Sequence, residues 1–169
     1  MKGNFIEIAP NDIEKNAFTS IGKEWFLVTA KKDDKINTMT AAWGGFGVMW
    51  NKNVAYIVIR PQRYTKEFVD FSDYFSLAFF DKEFKDKLSY LGTVSGKDED
   101  KISKSNLTTV YDNEIPYFEE ANLVIFCKKL FATEYKEENF IDKDIMNKIY
   151  PSKDFHTLYI AEITKVLTK

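Results

Sequence analysis

Residues 36–49 form a stretch, INTMTAAWGGFGVM, that contains no charged side chain. Asp, Glu, Lys and Arg make up 30% of the chain, so a gap of this length is unusual in it. An amphipathic helix would carry charge on one face, and a strand with one face in water would alternate polar and apolar residues. The stretch instead combines methyl groups, hydroxyls, glycines and one large ring. It therefore predicts a segment whose backbone is in close contact with a ligand or with another part of the protein.

The composition indicates one globular domain over residues 1–169. The chain is 44% hydrophobic, which is typical of a folded protein, and 16% aromatic, which favours a β core, a subunit interface or a ring-stacking site. Lys and Arg total 24 against 26 for Asp and Glu, a net charge of -2. Most lysines adjoin acidic residues, so we expect no basic surface for nucleic acid.

The counts of cysteine and histidine exclude several kinds of site. The chain has one cysteine, Cys127, and one histidine, His156, which excludes an internal disulfide and a Cys/His zinc site. Cys127 lies in the apolar run NLVIFCKKL, which predicts a buried thiol rather than a reactive one. The N-terminus lacks the apolar segment of a signal peptide, and no apolar run is long enough to span a bilayer. We expect a cytoplasmic protein with no metal and no membrane partner.

Hydrophobic periodicity predicts about six strands separated by short helices. Strands are expected at 25–31, 36–42, 54–60, 74–80, 121–136 and 156–167, with a hairpin between the first two. Helices are expected at 64–73, 81–92, 98–105 and 139–150, and the segment 115–121 is expected to be a loop. Thr65 is the expected N-cap of the first helix, Asp81 and Gly92 mark the ends of the second, and Gly44, Gly45 and Gly47 should interrupt the second strand. The strands are too irregularly joined for βαβ units, so the fold class is mainly β, a β-barrel with helical insertions.

The first candidate site lies within the charge-free stretch. The segment Asn37-Thr38-Met39-Thr40 and the nearby Trp43 would let backbone amides approach a flat ligand, with hydroxyls donating to its polar edge. The alternative is an ordinary buried hairpin strand.

The second candidate site is RPQRYT, residues 60–65. Arg60 and Arg63 are the two arginines of the chain, and all its other basic side chains except His156 are lysines. They fall where a strand ends and a helix begins, and helix N-termini bind anions. Forked guanidinium donors suit phosphate or carboxylate. The alternative is a pair of surface salt bridges.

The third candidate is GTVSGKDEDK, residues 92–101. It differs from a P-loop because Asp98 stands where that motif requires Ser or Thr. Ser95 and Lys101 could still meet an anion, although a turn leading into a solvated helix is the simpler interpretation. The chain shows no paired-carboxylate hydrolase spacing, nucleophile elbow or GxGxxG motif.

Four motifs, in order, resemble those of the flavin reductase-like, FMN-binding split-barrel proteins that include the flavoredoxins. They are NTMTAAW (37–43), RPQRYT (60–65), GTVSGKDEDK (92–101) and HTLYIAE (156–162), and the resemblance spans about residues 20–167. It implies a split β-barrel of Greek-key type. It also implies a homodimer with FMN near the subunit interface.

The resemblance also assigns roles to the matching residues. Backbone around Thr38, Met39 and Thr40 would face the isoalloxazine edge, with Trp43 close by. His156 would lie near the mouth and contact nicotinamide or flavin; the alternative is a polar residue that starts a strand after a loop. The remaining cofactor-binding candidates are Asn37 beside the ring segment, Arg60, Arg63, Tyr64 and Thr65 at the phosphate or ribityl end, and Ser95 and Lys101 as helpers.

One departure from the family pattern restricts the chemistry. Many members carry Cys immediately before the Gly-Thr of the third motif, and this chain has Leu91 there. Thiol-dependent chemistry at that position is therefore not expected, whereas FMN binding is unaffected.

The function implied is an NAD(P)H-dependent flavin reductase that transfers hydride from NADH or NADPH to N5 of FMN. A flavoredoxin-type electron carrier, which exchanges electrons with a redox protein partner and has no nicotinamide site, is the main alternative. A flavin-storage or sensing module, or a small-molecule oxidase on a related barrel, also stays open.

Overall fold

The computed structural model describes residues 4–169, and an eight-stranded antiparallel sheet is its framework. A separate hairpin of two strands, β7 and β8, packs beside it. The strands are β1 (Ile6–Ile8), β2 (Phe26–Lys32), β3 (Lys35–Ala41), β4 (Gly44–Met49), β5 (Lys52–Ile59), β6 (Tyr74–Phe79), β7 (Thr109–Asp112), β8 (Ile115–Phe118), β9 (Leu123–Glu134) and β10 (Thr157–Thr168).

The order of the hydrogen-bonded strands is β3-β2-β6-β9-β10-β5-β4, and β1 pairs with the end of β10. The edges of this path are β3 and β4, which follow one another in the chain with only Ala42 and Trp43 between them. Register shifts in the β9–β10 pair, at Ile160/Ala161 and Ile163/Lys165, allow these long strands to bend. The result is the split β-barrel, mainly β with helical insertions, that the sequence analysis predicted, and the charge-free stretch supplies both edges of the split.

Five short α-helices lie between the strands. The helix α2 packs against β2 and β3 and buries Thr65, Phe68 and Val69, and α3 packs against β3. Their bounds are α1 (Ala17–Thr19, continued by a π turn to Glu24), α2 (Tyr64–Phe71), α3 (Lys85–Thr93), α4 (Lys101–Ser105) and α5 (Lys143–Ile149). No helix within residues 4–169 is long and apolar enough to cross a membrane.

Both faces of β2 are buried, which explains why its sequence does not alternate. Phe26, Val28 and Ala30 point into the barrel interior, and Val28 pairs with Met39 of β3 on that face. Leu27 points to the opposite face, where it packs in a second cluster with Leu88 of α3 and with the β7–β8 hairpin. A strand covered on both sides carries a continuous apolar run.

Each of the six predicted strands is present, but the expected number was wrong because the described residues hold ten. The glycines at 44, 45 and 47 do not interrupt a strand; they form the separate strand β4. A Cβ on Gly44 would lie 2.4 Å from the carbonyl oxygen of Tyr56, so the close contact at this backbone is with the neighbouring strand β5. The expected loop at 115–121 contains β8, and β1 and β7 were also missed.

The predicted helices are present with different ends. Arg63, not Thr65, is the N-cap of α2, and Thr65 lies in the first turn, where it is buried. A 3₁₀ turn, Lys82–Phe84, precedes α3, which ends at Thr93 rather than Gly92. The short helix α4 begins after Asp100, whose side chain accepts a hydrogen bond from the Ser103 amide at 3.1 Å.

A candidate ligand cleft at the split in the barrel

A cleft of about 260 Å³ opens where the two edges of the barrel separate. The strand register assembles it. Gly44 pairs with Ile57, so Trp43 lies beside Val58, and Thr157 pairs with Ile59, so His156 lies beside Arg60. The lining residues come from β3, the β3–β4 connection, the end of β5 and the start of β10: Met39, Thr40, Ala41, Ala42, Trp43, Val58, Arg60, Arg63 and His156.

The β3 side of the cleft is neutral. Met39, Thr40 and Ala41 line it, and the Thr40 hydroxyl donates to the Leu88 carbonyl oxygen at 2.5 Å. Gly92 lies so close that a Cβ there would be 3.0 Å from Cβ of Thr40. The end of α3 therefore packs directly against this strand and fixes it in place.

Arg63 is the cationic group with the most donors left for a ligand. Its Nη1 donates to the Gly92 carbonyl oxygen at 2.9 Å, and a guanidinium has five N–H donors. Burial lowers the pKa of Arg63 from its ordinary value, yet an arginine remains charged. Within residues 4–169 no side chain caps the N-terminus of α2, which begins at the next residue. Arg63 and this helix end together suit an anion.

Arg60 is committed to its own chain. It forms an ion pair with Asp154, its Nη2 donates to the Ile149 carbonyl oxygen at 3.0 Å, and its guanidinium lies 5.2 Å from the ring centre of Tyr150. Hydrogen bonds from Gln62 and Arg60 lower the pKa of Asp154. Arg60 thus ties the segment after α5 to the end of β5, and it reaches the cleft with the rest of its side chain.

His156 is buried at the other side of the cleft, with 7% of its surface exposed. Its Nδ1 is 2.7 Å from the Tyr150 hydroxyl, and its ring centre is 5.2 Å from that of Trp43. Burial lowers the pKa of His156 to about 4, and the charge of Arg60 lowers it further while Asp154 opposes this. The imidazole is therefore neutral at neutral pH.

Six of the predicted site residues line the cleft, and the others lie outside it. The Thr38 hydroxyl faces the outer side of the sheet, 2.9 Å from the Thr29 hydroxyl and 3.1 Å from the Val28 carbonyl oxygen. Asn37 faces the interior, where its Nδ2 donates to the Thr65 hydroxyl at 2.9 Å. Asn37 and Thr65 thus join β3 to α2 behind the cleft.

Tyr64 and Lys101 line a neighbouring cavity of about 470 Å³ that also contacts Asn37. Lys101 is buried, and its Nζ donates to the carbonyl oxygens of Leu91 and Val94, both at 2.8 Å. Burial, with a smaller contribution from the charge of Arg63, lowers the pKa of Lys101 to about 8. Lys101 therefore holds the last carbonyls of α3.

Ser95, the remaining candidate, stabilises its own loop. Its hydroxyl accepts a hydrogen bond from the Lys97 amide at 3.2 Å. Such a bond is typical of a Ser turn.

Sequence reasoning missed five residues of this region. Ala41, Ala42 and Val58 line the cleft, and Val58 could have been found because it precedes Arg60 by two residues on the same strand face. Tyr150 and Asp154 support the cleft from the α5–β10 connection, and no motif marks them.

Two further findings concern residues outside the cleft. Cys127 is completely buried, which confirms the predicted burial, and this burial raises the pKa of its thiol. The residues from 4 to 169 contain no group of three or more His, Cys, Asp or Glu side chains placed to hold a metal ion.

Comparison with known families agrees with the resemblance seen in the motifs. The flavin reductase like domain matches residues 18–169. The chain belongs to this family. No curated protein matches the sequence significantly.

Solved structures show that the family fold extends over the chain. An FMN-binding domain of a flavin reductases-like enzyme from Shewanella baltica OS155 is 16% identical with a TM-score of 0.72, over 99% of this chain and 78% of that one. The flavoredoxin of Methanosarcina acetivorans is 20% identical with a TM-score of 0.68, over 97% and 75%. The styrene monooxygenase flavin reductase of Pseudomonas putida S12 is 12% identical with a TM-score of 0.63, over 86% and 79%.

Proposed function

We propose that this flavin reductase-like protein binds FMN in the cleft at the split and acts as an NAD(P)H-dependent flavin reductase. The observation that carries the proposal is the division of the cleft into a neutral side on β3 and a cationic end at Arg63. A flavin ring is flat and largely uncharged, and its side chain ends in a phosphate. The two parts of the ligand therefore match the two parts of the cleft.

The donors present fit this group. The backbone amides of β3 and the side chain of Thr40 would lie along the flavin ring, and Trp43 offers an aromatic face at the mouth of the cleft. Arg63 and the first amides of α2 would hold the phosphate, since both donate to anions. Arg60 would act mainly by fixing the α5–β10 connection, because its guanidinium is already bonded to Asp154 and Ile149.

The protein's own contribution to reduction is to bind, orient and shield. FMN, when bound, supplies the redox chemistry by accepting a hydride at N5 from NADH or NADPH. His156, neutral at the cleft wall, offers a donor that does not titrate near neutral pH. None of these roles requires a nucleophile or a general base.

A flavoredoxin-type electron carrier is the second candidate. The similarity in fold to the flavoredoxin of Methanosarcina acetivorans supports it. A carrier would hold FMN and receive electrons from a redox protein partner.

Anaerobic mixing separates the two candidates. FMN-loaded protein, freed of excess flavin, is mixed with NADH or NADPH while the visible flavin absorption is recorded. Rapid bleaching supports the reductase, and the faster donor identifies the nicotinamide. A flavin band that persists with both donors contradicts the reductase and supports the carrier. If no flavin is retained, turnover with excess free FMN tests flavin as an exchangeable substrate.

We also propose that the protein is a homodimer. Large apolar side chains lie exposed around the split, including Phe18 at 89% and Trp43 at 49% exposure. Contacts of this kind suit a subunit interface. Light scattering coupled to size exclusion tests this, and a monomer at micromolar concentration would contradict it.

A further inference from the structure

We propose that Tyr150 is a positioning residue that fixes the tautomer of His156, so that Nε2 carries the proton and donates into the cleft. The significance of that donor rests on the proposed function, whereas the tautomer itself is a property of the protein without ligand. His156 is at the cleft wall, and Tyr150 lies behind it at the end of α5.

The geometry distinguishes the two ring nitrogens. Nδ1 is 2.7 Å from the Tyr150 hydroxyl. Nε2 has no hydrogen-bond partner within residues 4–169. Among the described residues, the only fully buried side-chain polar atom without a partner is Oδ1 of Asn122, so Nε2 is not fully buried. Nε2 is therefore not enclosed by protein. It opens to the cleft that His156 lines.

The direction of the Tyr150–His156 hydrogen bond follows from the acidity of the two groups. A phenol is a stronger proton donor than a neutral imidazole N–H, and an imidazole nitrogen is a stronger acceptor than a phenol oxygen. The Arg60 guanidinium also lies 5.2 Å from the ring centre of Tyr150, and a nearby cation makes a hydroxyl a stronger hydrogen-bond donor. The hydroxyl donates to Nδ1, which leaves the single ring proton on Nε2.

The groups around His156 keep the ring neutral. Arg60 opposes a second positive charge, and Asp154, which would favour one, is already paired with Arg60. The remaining neighbours are the rings of Trp43 and Tyr135, at 5.2 and 6.4 Å between ring centres. Neither neighbour carries a charge at neutral pH.

The support behind Tyr150 is aromatic and rigid. Its ring centre is 5.5 Å from that of Phe140 and 5.2 Å from that of Phe155. Arg60 adds a bond to the Ile149 carbonyl oxygen at the preceding residue. The rings of Phe140 and Phe155 also contact each other, 5.7 Å apart, so Tyr150 is part of an aromatic cluster that limits the movement of its hydroxyl.

A neutral N–H fixed in this way donates to an electron-rich atom of a ligand over the whole neutral pH range. An imidazole with an ordinary pKa near 6.5 would change charge within that range. If FMN is bound, the candidate acceptors of this N–H are the carbonyl oxygens and ring nitrogens at the flavin edge.

The experiment uses the fact that His156 is the only histidine. Long-range proton–nitrogen NMR spectra of the ¹⁵N-labelled, ligand-free protein report the tautomer and pKa of this one imidazole. We expect the Nε2–H tautomer, with no titration near neutral pH. In Tyr150→Phe, which keeps the ring, we expect both tautomers and a pKa higher by roughly one unit. Tyr135→Phe is the matched control, since the Tyr135 hydroxyl bonds to no side chain in the described part of the chain, and it should leave both unchanged.

Addition of FMN then tests the link to the cleft. We expect FMN to shift the Nε2–H resonance and to bind Tyr150→Phe several-fold more weakly than wild type or Tyr135→Phe. An Nδ1–H tautomer in wild type, or identical imidazole spectra in wild type and Tyr150→Phe, would overturn the proposal whether or not FMN binds. If Tyr150→Phe does not fold, the wild-type tautomer still decides. A correct tautomer without FMN binding would support the positioning role and contradict the proposed function.

Discussion

Nη1 of Arg63 donates to the carbonyl oxygen of Gly92 at 2.9 Å and so joins the start of α2 to the end of α3. These two helices lie on opposite faces of β3, because α2 packs against the interior face and α3 against the outer one. The hydrogen bond therefore links the two helices across β3, which is an edge strand of the sheet. It also aims the arginine at the cleft, which is why a single side chain can serve both the fold and a ligand.

Arg63→Ala should weaken binding of FMN much more than binding of riboflavin, which lacks the phosphate. A hydrogen bond to a charged group contributes about 1.5–3 kcal/mol, so we expect a loss of roughly 10- to 150-fold for FMN. Quenching of flavin fluorescence measures both affinities.

Arg63→Lys is the informative companion, since it keeps the charge but loses the fork. It should fall between wild type and Arg63→Ala for FMN. Equal losses for FMN and riboflavin in Arg63→Ala would indicate that Arg63 acts only through the fold.

Gly96→Ala should destabilise the protein, because a Cβ at this position would lie 2.2 Å from Oδ1 of Asn37. Asn37 is buried and bonded to Thr65, so it has little freedom to move. Overpacking of this kind costs about 1–3 kcal/mol. Gly47→Ala is the matched control, with nothing within 4 Å of the added atom. Urea unfolding compares them, and equal stability of the two variants would refute the prediction.

Wild type should gain stability relative to Lys101→Met as the pH rises from about 8 to about 10.4. The folded-state pKa of Lys101, about 8, is below the ordinary lysine value of about 10.4. Between these values the unfolded chain binds more protons, so raising the pH stabilises the folded wild type. Lys101→Met lacks the group and shows no such contribution. Urea unfolding at several pH values measures the difference, and a constant difference would contradict the lowered pKa.

Asp154→Asn should lower the melting temperature at neutral pH and have little effect in acid. Hydrogen bonds from Gln62 and Arg60 lower the folded-state pKa of Asp154. Its contribution is therefore present above the ordinary carboxyl pKa of about 3.9 and is lost as the pH falls through the folded value. Glu138→Gln, an exposed position without an ion pair among the described residues, is the control. A melting-temperature difference that persists in strong acid would rule out this origin.

Much of the fold could be predicted from the sequence because the long strands have strong local signals. Residues 54–60 and 156–167 are rich in β-branched and aromatic residues, and both form strands of the barrel. The strand β4 was missed because its glycines have low strand propensity. Its pairing depends on the close approach of Tyr56, which is a tertiary effect.

The candidate site could be predicted only in part, for a similar reason. The strand register brings Trp43, Arg60 and His156 together, and their motifs mark them in the sequence. The commitment of Arg60 to Asp154, and of Lys101 to the carbonyls of α3, depends on burial and on distances that no motif encodes. Tyr150 follows α5 directly, and no sequence feature there points to a site.

The central claim is that FMN occupies the cleft at the split, and calorimetric titration of FMN into wild type and Ala42→Trp tests it most directly. Ala42 lines the cleft in the β3–β4 connection, so an indole there would fill the space that the ring needs. Circular dichroism confirms that the variant is folded. The account predicts saturable binding of one FMN per chain in wild type and its loss in Ala42→Trp. No saturable binding to wild type, or equal binding by both proteins, would contradict it.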